Sequence, residues 1–217
     1  MNEKEEEKTF AERKTITEDN PFEKKTADEK KEKETRFPRY SVRDIVFLAI
    51  VSAICLVTCA VMPLVISLQH QIFGIAQVVT GFQLAFFFAI GLYKVRKPGA
   101  LLFMATFTGI IQLIMAPPMF FSNLVCGLLI EVAVFAIFRG YKKNKAIFFA
   151  VLLYNPLSLP FNYLYNLGIG NTAMTDVANN APWSAVGMTV AVLAIAAIGG
   201  LAGLKIGKEL AKAGVLK

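Results

Sequence analysis

Amide and phenol side chains interrupt otherwise apolar stretches of this sequence at Gln77, Gln83, Gln112, Asn123, Asn155, Asn162, Tyr163 and Asn166. Polar groups are costly inside long apolar runs, so their placement is informative. At about 1.5 Å of helical rise per residue, all but Asn155 fall toward one leaflet, the outer one in the topology below. An uncharged amide both donates and accepts, which suits recognition of a neutral or weakly charged polar heterocycle. Hydrogen bonds between helices account for any one of these residues, and a shared pocket accounts for the group. His70, between Gln69 and Gln71, is placed either to lid such a pocket or to sit exposed in a loop. Glu131 is the only acid inside an apolar run. It is expected to pair with Lys94 or Arg96 reaching up from the inner surface, in a structural or gating role.

Signatures of catalysis are missing. The sequence has one histidine, no H-E-x-x-H and no phosphate-binding Gly-rich loop, and it offers no nucleophile–base pair. Cys55, Cys59 and Cys126 all fall in apolar runs and read as small hydrophobic residues, so no metal site is expected. The chain is therefore expected to be no enzyme and to hold no cofactor. Energy for moving a solute against a gradient would come from elsewhere.

The elements that position these groups are apolar runs at 45–68, 72–93, 98–115, 119–138, 146–169 and 182–204. Each is long enough to cross a bilayer. With 55% hydrophobic residues gathered in such runs, the chain reads as an all-α integral membrane bundle of six helices. Residues 1–44 hold 12 Lys/Arg and 13 Asp/Glu and read as a disordered tail. The remainder holds 11 Lys/Arg against three acids. Those cations sit near 94–97, 139–145 and the C-terminus, which places both termini in the cytoplasm. This distribution sets topology and argues against nucleic-acid binding. The first run begins too late and is too long for a signal peptide.

Small residues mark two helix faces. Ala49, Ala53 and Ala60, near Ser52 and Cys59, would let another helix approach the first run closely. That helix belongs either to this bundle or to a separate membrane protein. Gly199, Gly203 and Gly207 form a ridge suited to internal packing. Pro156 and Pro160 fall inside the fifth run, Ala116-Pro117-Pro118 ends the third, and Pro98 suits its first turn.

The six-run body, the Ala49-x-x-x-Ala53 face and the basic inner loops resemble the substrate-binding (S) components of energy-coupling factor (ECF) vitamin transporters. Tyr93-Lys-Val-Arg-Lys-Pro-Gly-Ala100, followed by Gly127-Leu-Leu-Ile-Glu131 and Phe135, is similar to the YkoE branch, associated with thiamin or its hydroxymethylpyrimidine precursor. The resemblance covers about residues 40–217. It implies a bacterial plasma-membrane subunit that binds a vitamin from outside. Such a subunit docks through Ala49 and Ala53 on a transmembrane scaffold (T) subunit, and two cytoplasmic ATPases consume the ATP. The residues expected to contact substrate are Gln83, Gln112, Asn123, Asn162, Tyr163, Asn166 and His70. An autonomous small permease or channel, or a non-transporting membrane scaffold, are the alternatives from other classes.

Overall fold

The computed structural model describes residues 39–58, 72–113 and 117–214, without the side chains of 172–174. The tail through residue 38, the first predicted run beyond Thr58 with Cys59, Ala60 and His70, and Ala116 lie outside the described residues. Within them the chain is helical, in the order α1 (Val42–Thr58), α2 (Ile75–Lys94), α3 (Ala100–Leu113), α4 (Pro117–Phe138), α5 (Asn144–Gly168), α6 (Thr172–Asn180) and α7 (Pro182–Lys212).

Local chemistry sets the boundaries. Pro117 and Pro182 open α4 and α7, where a missing N–H costs nothing. Lys94 and Lys212 lie in the last turns of α2 and α7, close to the negative end of each helix dipole. Pro98 does not start α3 as expected. It lies in the preceding turn, where Gly99 adopts φ +92° and α3 begins only at Ala100. Pro156 and Pro160 are both accommodated inside α5.

The expected count of six helices becomes seven among the described residues. The addition is α6, nine residues in the segment read as an outer loop. The last helix is also longer than its apolar run, because Lys205 and Lys208 extend it beyond Leu204. Four helices, α2, α4, α5 and α7, are long and apolar enough to cross a membrane, and α3 is a shorter apolar helix.

Packing is close where small residues allow it. A Cβ on Gly199 would lie 2.5 Å from the carbonyl oxygen of Phe82, and one on Gly203 would overlap that of Phe86. Gly207 lies less tightly against the Tyr93 side chain, 3.1 Å from where its Cβ would be, so the glycine ridge is where α7 packs on α2. Gly127 brings α4 equally close to α3 at Ala105. Leu48, Phe88, Leu92, Leu101, Met104 and Ile147 fill the centre. Leu129, Val132, Ile137, Leu164, Ile198 and Leu201 are exposed on the outside. Large apolar side chains facing outward suit a hydrocarbon surround and not water.

Candidate functional site: an amide-lined cleft and a polar hub

A cleft opens between the start of α2 and the second half of α5. Phe73, Gly74, Gln77, Leu159, Asn162, Tyr163 and Asn166 line it. Asn162 and Asn166 are four residues apart, so they share one face of α5. Asn166 Nδ2 donates to the Asn162 carbonyl at 2.7 Å, and Asn166 Oδ1 accepts from Asn171 Nδ2 at 2.9 Å. The Tyr163 hydroxyl donates to Asn179 Oδ1 of α6 at 3.0 Å. Beneath the cleft, buried Asn155 donates from Nδ2 to the Gln77 carbonyl at 2.6 Å, tying α5 to α2. Three of the expected substrate residues, Asn162, Tyr163 and Asn166, are thus brought together, with Gln77 beside them.

Gln112 and Asn123 are elsewhere. Asn123 Nδ2 donates to Gln112 Oε1 at 2.5 Å and to the Met119 carbonyl at 2.7 Å. The hydroxyl of Tyr154, a residue the sequence reading passed over, donates to Asn123 Oδ1 at 2.6 Å. This chain of donors joins α3, α4 and α5 through groups that satisfy one another. Gln83 lies at a third place, donating from Nε2 to the Thr58 carbonyl of α1 at 3.1 Å. The candidate set is therefore divided, with one part lining the cleft and two parts joining helices.

On α1, Leu48, Val51, Ser52 and Cys55 are buried against the bundle. Ala53 is exposed and Ala49 half-buried, next to exposed Val46, Ile50, Ile54 and Val57. Of the two partners considered for this face, the bundle itself covers the Ser52–Cys55 side and leaves Ala53 open.

At the other end of the molecule, Glu131 organises a polar hub. Its Oε1 accepts from the Gly99 N–H at 2.5 Å and its Oε2 from the Tyr141 hydroxyl at 2.9 Å. The carboxylate thus reaches across the bundle to the Gly99 amide just ahead of α3, one that a helix start leaves unpaired. The expected pairing with Arg96 is corrected: the Gly99 N–H and the Tyr141 hydroxyl hold the acid. Arg96 instead donates to the Lys142 carbonyl and to Asn144 Oδ1, both at 3.1 Å, and its guanidinium lies over the Tyr93 ring.

Two links tie the start of α1 to the same turn. The Tyr40 hydroxyl donates to the Pro98 carbonyl at 2.7 Å, and Lys97 Nζ pairs with Asp44 Oδ2 at 2.6 Å. Lys97's hydrogen bond holds the Asp44 carboxyl below its usual range. Burial, with Glu131 adding to it, pushes both the Tyr40 and Tyr141 hydroxyls above the usual phenol range, so both stay protonated donors. Asp44 escaped the sequence reading because it was counted with the tail. Among the described residues no group of His, Cys, Asp and Glu side chains could hold a metal ion.

Long apolar helices, an apolar exterior and basic turns at one end define a multi-pass helical integral membrane protein. The chain belongs to the Trep_Strep family, described as "Hypothetical bacterial integral membrane protein", which it matches over residues 42–213. No curated protein and no solved structure matches it.

Proposed function

We propose that this chain is the substrate-binding subunit of an ATP-driven importer of the energy-coupling factor type, taking up thiamin or its hydroxymethylpyrimidine precursor. The observation that carries this reading is the cleft at the start of α2 and the end of α5, with Gln77, Asn162, Tyr163 and Asn166 around it. Gln77 is 17 residues from Lys94, so about 25 Å of helix separates the cleft from the basic turns. A recess bordered by amide-bearing residues at one end of an apolar bundle suits a solute taken from one side of a membrane. Uncharged amides suit the neutral pyrimidine ring that thiamin and its precursor share. The face of α1 left open at Ala53, with Ala49 half-buried beside it, adds support, being suited to a close-packed scaffold helix. In this reading the partners are the transmembrane scaffold and two cytoplasmic ATPases, which consume the ATP, and this chain carries no cofactor of its own.

Equilibrium dialysis of the purified chain against labelled thiamin and labelled hydroxymethylpyrimidine tests this. At least one should bind. Asn162→Leu should weaken that binding by about 1–3 kcal/mol, the scale of a buried polar group losing its partner. Asn123→Leu, which breaks the Tyr154–Asn123–Gln112 network, should lower stability and leave affinity unchanged. Absence of binding by both compounds, with no small molecule released when the protein is denatured, overturns the reading.

A further inference from the structure

One side of α7 is a continuous stripe that changes character along its length. Trp183, Ile198 and Leu201 recur close to whole turns of about 3.6 residues, and Lys205, Lys208 and Lys212 continue the same row. All six are exposed. Gly199, Gly203 and Gly207 lie on the opposite side, where α7 packs on α2, so the stripe faces away from the bundle. Lys205 follows Trp183 by 22 residues, about 33 Å of helix. That matches a hydrocarbon core of about 30 Å, with an indole at one interface and an ammonium at the other. Lys208 lies about 4.5 Å beyond Lys205, inside a headgroup layer of about 5–8 Å. Lys212, about 10 Å beyond Lys205, is past that layer. Its Nζ donates to Glu209 Oε1 at 3.0 Å.

We propose that Lys205 and Lys208 form a binding site for the phosphate of an anionic phospholipid, whose acyl chains lie along Leu201 and Ile198. Neither ammonium has an acidic partner among the described residues, and Glu209, the one acid on α7, is held by Lys212. Like charges one helical turn apart repel, and a phosphodiester between them removes that repulsion. The anion comes from the bilayer, because these two groups sit at headgroup depth directly below an apolar row that faces acyl chains. A zwitterionic headgroup brings an ammonium of its own, whereas phosphatidylglycerol brings none. Topology requires only positive charge at this end of the molecule, while a paired site also decides which lipid occupies it. The lysine stems can lie along the apolar row while their charged heads stay at the phosphate. Neither the cleft nor a transport partner enters into this assignment.

The test uses the full chain in detergent, with dioleoylphosphatidylglycerol and dioleoylphosphatidylcholine as probes and native mass spectrometry to count bound lipid. The first phosphatidylglycerol should bind more tightly than the first phosphatidylcholine by about tenfold or more, each lysine supplying about fivefold. Lys205→Gln and Lys208→Gln should each weaken phosphatidylglycerol by about fivefold and leave phosphatidylcholine within about twofold. The double variant Lys205→Arg, Lys208→Arg keeps the charge and should keep the preference. Arg43→Gln removes an exposed charge at the same end of the molecule, on α1, and should change either affinity by less than about twofold. Equal affinity of the unmodified chain for the two lipids overturns the proposal. A loss in Arg43→Gln as large as that in Lys205→Gln overturns it too, since the attraction would then be diffuse. Displacement of phosphatidylglycerol by millimolar inorganic phosphate overturns the lipid assignment, because a free anion would then suffice.

Discussion

At the residue scale, Glu131 shows how an acid is tolerated near the end of an apolar helix. It is accommodated by two donors, the main-chain N–H of Gly99 and the hydroxyl of Tyr141. The N–H groups at the start of α3 have no partner of their own helix, and Tyr141 is fully buried. Glu131→Ala therefore removes the acceptor for both of these donors at once. A loss of about 1–3 kcal/mol is expected, read as a lower unfolding midpoint in detergent. Tyr141→Phe, which removes one hydrogen bond and leaves the cap in place, should cost about 1 kcal/mol. An alanine variant as stable as the parent would refute the capping role. That Glu131 is the outlying acid was legible in the sequence; its partners were not. A backbone N–H leaves no mark in a sequence. Tyr141 reaches the carboxylate only because Arg139 and Gly140, at φ 56° and 122°, turn the chain back at the end of α4. The cleft residues were more accessible to reading, since Asn162 and Asn166 repeat at helical spacing on one element. Gln112 and Asn123 looked equivalent to them by depth alone, yet their proximity to Tyr154 makes them partners of one another.

At the element scale, the apolar runs located the long helices because crossing a bilayer requires uninterrupted apolar length. α6 was not visible on that criterion. Its nine residues include Thr, Asp and two Asn, which read as loop, and it is held by Thr175 and Ala178 against the bundle. The packing face of α7 was visible, because glycines at four-residue spacing are otherwise costly in a helix, whereas its partner α2 was not. Their purpose can be tested against a glycine that lacks it. Gly187, on the same helix, has nothing within 4 Å of an added Cβ, whereas Gly203 has the backbone of Phe86 and the Cβ of Ala89. Gly187→Ala should be neutral or stabilise by up to about 1 kcal/mol, since it lowers the entropy lost on helix formation. Gly203→Val should destabilise by about 1–3 kcal/mol, because rigid backbone must move to admit it. Thermal unfolding of both variants in the same detergent makes the comparison. Equal effects would mean the ridge is not a packing device.

At the scale of the whole molecule, two ends with different chemistry are joined by α2 and α5, which both run from the cleft to the basic turns. Around Glu131 and the α2–α3 turn, Tyr40, Lys97, Arg96 and Tyr141 tie the start of α1, that turn and the α4–α5 turn into one assembly. A displacement of α1 would therefore pull on the same turn that Glu131 holds. α1 also carries the open alanine face, so a partner seated on Ala53 would press on an element already linked to this hub. The proposed transport cycle needs such a partner, and binding of the solute does not. Ala53→Trp should therefore abolish ATP-dependent uptake in proteoliposomes holding scaffold and ATPases, while dialysis with the isolated chain gives unchanged affinity. Ala53 is exposed and the buried side of α1 lies one residue away at Ser52, so the indole has room to point outward without disturbing the bundle. Uptake that survives the substitution, or that proceeds with the ATPases omitted, would instead favour a chain that conducts alone. Loss of both uptake and binding would place Ala53 in the structure of the cleft and not on a docking face.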